Sequence, residues 1–534
     1  MSHTPDQRVP ENDRIDAAVL KVAGVVVLGA IMSILDITVV NVALPTFQIE
    51  FGSPAEPVSY SHVAWTVTGY TLALATVIPL TGWAADRFGT KRLYMAAVAL
   101  FTAGSALCAL ATSIDLLIAF RVLQGLGGGM LMPLGMTIMT RAAGPHRMGR
   151  LMAILGVPML LGPILGPIIG GWLIEHASWH WIFLINLPIG IGALVYASLV
   201  LPRDRPEPSE SFDFLGMLMM SPGLALFLFG VSSLPVENGD FTAPRVWVSM
   251  LLGVVLIVAF VFHTFRPEHP LLDLRLFKNR NLTLSVITMF LFAAAFFGGL
   301  LLVPTYYQEI RGESTLHAGL LVAPQGLGAM LTMPIAGRLT DKIPVGRIVP
   351  VGLVVIVIGM FGLTQVRADT PYELLIAELF VMGLGMGATM MPVMTSALKT
   401  LRHHEVARGS TLLNITQQVA SSVGVAVMSV ILTNHLNDSP VIPGTEKVPA
   451  LNGGLTETAA GILSNTRPEL VAALKLPASL IAEGLDQAAQ AFADTYWVAW
   501  VLVVLTLVPA LMLPRRYEVS HLDEEEETVP TLTH

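Results

Sequence analysis

The chain has 534 residues, 54% of them hydrophobic and only 13% charged, where soluble globular proteins carry about 25% charged residues. That composition excludes a water-soluble globule and demands many bilayer-crossing helices, since ~20 apolar residues span a hydrocarbon core. The net charge of -8 does not indicate a basic ligand, because six of the acids, Glu518 and Asp523 to Glu527, form one terminal run that reads as a solvated tail.

Fourteen apolar runs follow in chain order, at 20–43, 62–85, 93–111, 116–140, 151–173, 181–201, 214–234, 246–265, 282–307, 318–337, 348–366, 373–398, 409–433 and 496–513. The polar first sixteen residues lack the core and cleavage site of a secretory signal, so the first run is expected to be retained. An even count places both termini on one side. With that side inside, the only Lys and Arg on outer segments are Arg245, Arg311, Arg367, Lys447, Arg467 and Lys475, while Arg121 lies within a span. All the other cations fall inside, the bias expected of a cytoplasmic face.

A motif recurs. Gly82-Trp-Ala-Ala-Asp86-Arg87-Phe-Gly89-Thr-Lys91-Arg92 follows the second run, and Gly337-Arg-Leu-Thr-Asp341 to Gly346-Arg347 follows the tenth. Both fall after the second helix of a six-helix block if runs seven and eight are an inserted pair. Repeated halves of this kind build transporters that open alternately to each side. The expected organisation is a cytoplasmic N-terminal tail (1–16), a six-helix bundle (17–201) and a linker with two extra spans (202–281). A second six-helix bundle (282–514) contains a long outer segment (434–495), and an acidic cytoplasmic tail (515–534) ends the chain.

Further motifs make a family nameable. They are Leu35-Asp36-Ile-Thr38-Val-Val-Asn41-Val-Ala43-Leu-Pro45 on span one, Arg121-Val-Leu-Gln124-Gly125 on span four, and Gly162-Pro163-Ile-Leu-Gly166-Pro167-Ile-Ile-Gly170-Gly171 on span five. Trp179-His180-Trp181 to Asn186-Leu-Pro188 opens span six. With the Gly82–Arg92 loop and the span count, the chain resembles the fourteen-span drug:proton antiporters of the EmrB/QacA type in the major facilitator superfamily. The resemblance implies an all-α membrane protein with two six-helix bundles and two additional central helices. It also implies export of apolar or cationic small molecules across the cytoplasmic membrane, driven by a proton gradient with no bound cofactor. Two positions depart from the family pattern: His180 and Gln417 stand where relatives usually have Arg. A missing cation at Gln417 bears on the charge preference for substrate.

The residues themselves point to a coupling site. A carboxylate within a span costs ~2.5–3.5 kcal/mol on insertion scales, so Asp36 is expected to face a cavity or a partner and to exchange a proton; the bland reading is a static ion pair or cap. Arg121 stays charged and needs neutralisation or water, unless it snorkels outward. At about 1.5 Å per residue from their outer helix ends, Asp36 and Arg121 lie roughly 12 and 9 Å deep and can share a layer. The family associates this Arg with proton transfer, and the resemblance carries that role to Arg121. Glu378 is a third candidate, about 8 Å deep by the same count, or else an acid near a hydrated mouth.

In the Gly82–Arg92 loop, Gly82 and Gly89 allow a tight turn, Asp86 can accept from a helix N-terminus, and Arg87, Lys91 and Arg92 can pair with acids or anionic lipid. Relatives use this loop as an inner latch. Gly162, Gly166 and Gly170 recur every four residues and form a stripe for close helix approach, beside Gly171 and the bend-permitting Pro163 and Pro167. In the antiporter branch this seam favours export. Asn41, Gln124, Gln325, Asn414 and Gln418 are candidate walls of a substrate cavity, or simply polar links between helices.

Other chemistry finds little support. One cysteine, Cys108, excludes an intrachain disulfide or a Cys-based zinc site, and the histidines, His403-His404 included, show no zinc spacing. No basic block interleaved with aromatics suggests nucleic acid. The clusters Gly125 to Gly129 and Gly383 to Gly387 lie in apolar spans without the Lys-Ser/Thr of a phosphate loop. Tyr306, Tyr307, Gln308 and Glu309 read as an interfacial belt or outer vestibule. Competing readings on the same fold are an exporter of a lipid or cell-envelope precursor and a proton-coupled importer. An accessory envelope protein is a candidate partner, beside the substrates, protons and the bilayer. A hydrolase or sensor would need a second carboxylate motif or an output domain, and neither is visible.

Overall fold

A computed structural model of the chain describes residues 16–52, 58–143, 147–202, 211–237, 239–402, 405–437 and 478–516. The tail up to residue 15, the 438–477 part of the long outer segment, His403-His404 and the acidic run after residue 516 lie outside the described residues.

The first bundle consists of α1 (Ala17–Glu50), α2 (Tyr60–Phe88), α3 (Thr90–Ala109), α4 (Ile114–Ala143), α5 (Met148–His176), and α6 (Trp181–Leu184) continued by α7 (Asn186–Val200). A hairpin of α8 (Phe214–Ser233) and α9 (Pro244–His263) follows. The second bundle holds α10 (Arg280–Glu309), α11 (Thr315–Lys342), α12 (Val345–Leu363), α13 (Tyr372–Gly387) continued by α14 (Met390–Lys399), α15 (Val406–Asn437) and α16 (Ala478–Leu511). Among the described residues, thirteen helical stretches are long and apolar enough to cross a membrane. The 29-residue α5 occupies the place of the fifth expected run. The chain is a multi-pass membrane protein.

Helices reach into the expected outer segment 434–495 from both of its ends. Helix α15 continues to Asn437, and α16 starts at Ala478, so residues 478–495 run without a break into the last span. The cause is an apolar face: Ala488, Ala489, Phe492, Ala493 and Tyr496 are all buried and share one side of the helix.

Among the described residues two spans are interrupted, at Ile185 and at Ala388-Thr389, and each break lies three to four residues before a proline. Pro188 lacks the N–H that would bond Leu184, where α6 ends, and Pro392 lacks the one that would bond Ala388, between α13 and α14. The turn from α2 to α3 closes on a single residue, Gly89, whose φ of 95° is accessible to glycine at little cost. Within the first bundle α2 and α3 pack on α4, and α1 packs on α5. The glycine clusters act in such seams: a Cβ at Gly125 would meet the Tyr70 carbonyl, at Gly129 the Leu74 backbone, and at Gly383 the Gln325 backbone.

The bundles meet where α5 lies on α11 and where α2 and α4 lie against α15. The α8–α9 hairpin rests mainly on α2, with Trp65 on Phe229 (ring centroids 5.6 Å) and Trp83 on Phe212 (4.3 Å). It also touches α15 through Leu234, Val246 and Val430. The outer face of α9 exposes Trp247, Leu251, Val255, Val258 and Phe262, as a helix facing hydrocarbon requires.

Candidate functional site

Asp36 sits near the middle of α1, fully enclosed, and its carboxylate is taken up by three neighbouring side chains. Arg121 of α4 donates from Nη1 to Asp36 Oδ2. Gln124, one turn further along α4, donates from Nε2 to Oδ1 at 2.8 Å, and Asn186 donates from Nδ2 to the same oxygen at 3.1 Å. Asn186 is the first residue of α7, so the break between α6 and α7 presents this side chain to α1.

The arginine is enclosed as fully as the acid. It is 0% exposed and donates also to Gln124 Oε1 (2.8 Å) and, from Nε, to the Thr66 carbonyl (3.1 Å). Its guanidinium lies 4.1 Å from the Tyr70 ring centroid, a cation–π contact. Around this centre Ser105 donates to the Phe183 carbonyl at 2.9 Å and accepts from Asn186 at 3.1 Å, while the Cys108 thiol faces Gln124. Arg121 remains protonated even when buried, so its charge demands a counter-ion within the bundle, and Asp36 is that ion. The geometry joins the charge state of one carboxylate on α1 to the positions of an arginine, a glutamine and an asparagine on α4 and α7.

A second set of polar contacts joins the two bundles toward the arginine-rich end of the molecule. Asp341, at the end of α11, accepts from the Gly149 amide at 2.9 Å and from Arg150 Nε at 3.0 Å, both at the start of α5 in the other bundle. Thr137 of α4 and Ser410 of α15 bring their hydroxyls to 2.8 Å. Asn414 donates to Ser410 O at 2.8 Å and faces Met136 Sδ at 3.1 Å. At Gly82 an added Cβ would press on the Thr411 hydroxyl and touch the Ala407 and Arg408 backbone of α15, so α2 runs close against α15 here.

The rest of the Gly82–Arg92 loop braces the first bundle. Arg141 of α4 donates to Asp86 at 3.2 Å and to Thr90 at 2.8 Å, and Lys91 donates to the Ser198 and Leu201 carbonyls at 2.8 and 2.6 Å. Lys91 thereby covers carbonyls at the end of α7, where a helix presents partial negative charge. Arg87 is half-buried and Arg92 exposed.

On α5 the glycine stripe faces α1. A Cβ at Gly162 would collide with Ile34 and at Gly166 with Thr38, and at Gly170 it would sit tightly against Val39. Gly171 is off this seam, and a Cβ there would have nothing within 4 Å. The side chains of Pro163 and Pro167 lie outside the described set.

The remaining candidates do not gather around Asp36. The Glu378 carboxylate lies in the second bundle against Gly362 of α12, with Oε2 buried and without a hydrogen bond. The proposed cavity walls also disperse. Gln124 belongs to the Asp36 cluster and Asn414 to the seam between bundles, whereas Gln325 is buried with neither amide atom hydrogen-bonded. Asn41 is exposed and Gln418 half-buried. Tyr306 and Tyr307, read as an interfacial belt or an outer vestibule, are both packed inside the second bundle, and Tyr306 donates to the Arg367 carbonyl at 2.6 Å. Asn186, Thr66, Tyr70 and Ser105 entered the site only through the tertiary structure, although Asn186, a polar residue two positions ahead of a proline in an apolar run, carried some signal.

The sequence profile of the Major Facilitator Superfamily matches residues 26–425. The chain is 48% identical over 513 residues to the multidrug resistance protein B homolog of Mycobacterium tuberculosis, covering 95% of this chain and 92% of that one. It is 30% identical over 415 residues to the multidrug export protein EmrB of Escherichia coli, covering 76% and 79%. Among solved structures, the proton:xylose symporter XylE superposes with a TM-score of 0.58 at 16% identity, covering 96% of this chain and 99% of that one, a likeness of fold. By profile and by identity along nearly its whole length, the chain belongs to the major facilitator superfamily.

Proposed function

We propose that the protein is a multidrug efflux antiporter that expels apolar or cationic small molecules across the cytoplasmic membrane in exchange for protons. The observation that carries the coupling is the enclosed Asp36 carboxylate bonded to Arg121, Gln124 and Asn186. Protonation turns a pure acceptor into a donor and cancels its attraction for Arg121, so proton uptake must rearrange α4 and α7 relative to α1. The relatives named as multidrug resistance and export proteins support the substrate class.

The positive-inside bias assigns the arginine-rich end, and both termini, to the cytoplasm. On that assignment the Asp341, Ser410 and Asn414 contacts close the cytoplasmic side, and the exchange cycle breaks and remakes them. Glycines 162, 166 and 170 hold α1 on α5, so movement of the Asp36 helix is transmitted to the helix that carries Gly149 and Arg150. No catalytic role is needed by this reading; the residues bind, gate and transfer protons, and an accessory envelope protein would only extend the export path.

The test uses everted vesicles with an imposed proton gradient. Wild-type protein is expected to release protons when a cationic dye or drug is added, and Asp36→Asn, inserted at normal abundance, to lose that release. Undiminished exchange in Asp36→Asn would remove this acid from the mechanism.

A further inference from the structure

The second bundle repeats the plan of the first with a different charge at its centre. Helix α13 packs on α11 and α12, as α4 packs on α2 and α3, and α16 lies on α10 and α12, as α7 lies on α1 and α3. Glu378 stands about two turns past the start of α13, the level at which Arg121 follows the start of α4. Where the first bundle sets an arginine against an acid, the second places an acid.

The surroundings of Glu378 offer hydroxyls but no cation. Its Oε2 is buried and without a hydrogen bond, and so are the hydroxyls of Tyr307 on α10 and Tyr496 on α16, residues 1% and 2% exposed. Glu378 and Tyr307 lie within range of each other's charge, as do Tyr307 and Tyr496. Helix α12 presents Gly359 and Gly362, and a Cβ at Gly362 would overlap the carboxylate as it stands. Helix α11 meets α13 at Gln325, which carries no charge, and Glu373, a turn back on α13, is exposed. Arg311, the cation of this end, donates to the Ala368 and Thr370 carbonyls and to the Tyr372 hydroxyl. No charged group among the described residues acts on Glu378. One turn further along α13, Met382 joins Phe296, Met360, Met386 and Tyr496 around a cavity that leaves about 10 Å³ for the centre of a water molecule, the least that one water requires.

Leaving a buried carboxylate oxygen and two buried hydroxyls without partners is costly, and an acid in that position takes up a proton rather than remain an unbalanced ion. We propose that Glu378 is a second proton-binding group, in the second bundle, bonded in its protonated form to the Tyr307 hydroxyl directly or through one water, with Tyr496 continuing the chain. The step is a plain transfer: a hydronium gives its proton to the carboxylate and leaves as water, and the resulting acid donates where the ion could only accept. A route to the surface stands beside it, because the Tyr307 ring stacks on Tyr372 at 6.2 Å and the Tyr372 hydroxyl donates to Glu313 at 2.5 Å. Asp36 is balanced by Arg121 in the same structure, so the two acids answer to different neighbours. The proposal deepens the proton-exchange reading by adding a second exchangeable proton, but its test measures the bound proton without transport, so either can fail alone.

The full chain in lipid nanodiscs is compared by infrared difference spectroscopy over a series of pH values, wild type minus Glu378→Gln. The difference is expected to contain the C=O stretch of a protonated carboxyl that fades as the solution is made alkaline, and the same band should survive in Asp36→Asn. Tyr307→Phe, which keeps the acid and removes a bonding partner, should move the band to higher frequency. That variant also decides the matter if Glu378→Gln does not fold. A difference spectrum with no protonated-carboxyl band at any pH overturns the proposal. So does a band that vanishes in Asp36→Asn, which would belong to the first bundle, and so does one that Tyr307→Phe leaves unmoved.

Discussion

Replacing Asp36 by Asn, and Arg121 by Gln, singly and together, tests the central cluster most directly. The amide of Asp36→Asn keeps the size of the side chain but leaves Arg121 without a counter-ion at 0% exposure, with only Gln124 and the Thr66 carbonyl as its other acceptors. Breaking one side of a buried ion pair typically costs about 3–5 kcal/mol. Arg121→Gln strands the carboxylate instead, although Gln124 and Asn186 still donate to it, so its cost is expected near the lower end, ~3 kcal/mol. The double variant carries neither charge and should be more stable than either single one, giving a coupling of at least ~3 kcal/mol. Equilibrium unfolding in mixed micelles, followed by tryptophan fluorescence, measures the cycle. Additivity of the two substitutions within ~0.5 kcal/mol would mean that the two charges do not meet, and the coupling argument built on them would fail. The stable double variant should still show no drug-dependent proton release, which separates loss of chemistry from loss of fold.

Gly166→Ala, whose new carbon collides with Thr38 of α1, should destabilise by about 1–3 kcal/mol, whereas Gly171→Ala, with nothing within reach, should be close to neutral in the same unfolding assay. In a Cys108→Ser background, cysteines at 137 and 410 should cross-link readily, since the native hydroxyls there are 2.8 Å apart; Asp341→Ala, which removes the bonds to Gly149 and Arg150, should lower the yield. An unchanged yield would show that Asp341 does not hold the bundles together. At the opposite end, the Glu313 carboxyl is held below the ordinary glutamate range, chiefly by the Tyr372 hydroxyl hydrogen bond and then by His317. A depressed folded pKa gives stability that is present above the unfolded value and lost as pH falls through the folded one. The stability gap between wild type and Glu313→Gln should therefore be present while the carboxylate is ionised and shrink as pH falls below the usual glutamate range near 4.3. A gap that grows on acidification would contradict this account.

Much of the architecture was legible because a bilayer leaves few choices. Backbone groups in hydrocarbon must be bonded within the segment, so long apolar runs imply helices, and the cation bias and recurring Gly-to-Arg motif imply two related halves. The meeting of Asp36 and Arg121 could also be foreseen from depth alone, because both residue types are costly in a membrane and each is the natural remedy for the other. The limits of such reasoning are equally concrete. A span ends in sequence where hydropathy falls, yet α16 extends back to Ala478 because the face bearing Phe492 and Tyr496 is buried by tertiary contacts. Depth likewise made Glu378 a companion to Asp36, but depth does not say which bundle or which side of a helix an acid occupies.

The amino-acid order determined that this chain crosses a membrane many times, in repeated halves, with an acid and an arginine at matching depths; those features follow from local hydropathy and charge, which every residue carries by itself. Only the tertiary structure decided that Gln124 and Asn186 complete the shell of Asp36, that Asp341 rather than a residue of its own bundle receives the start of α5, and that Gly171 stands apart from the stripe beside it. Those are questions of azimuth around helices and of which helices touch, and they are settled by packing among segments far apart in sequence.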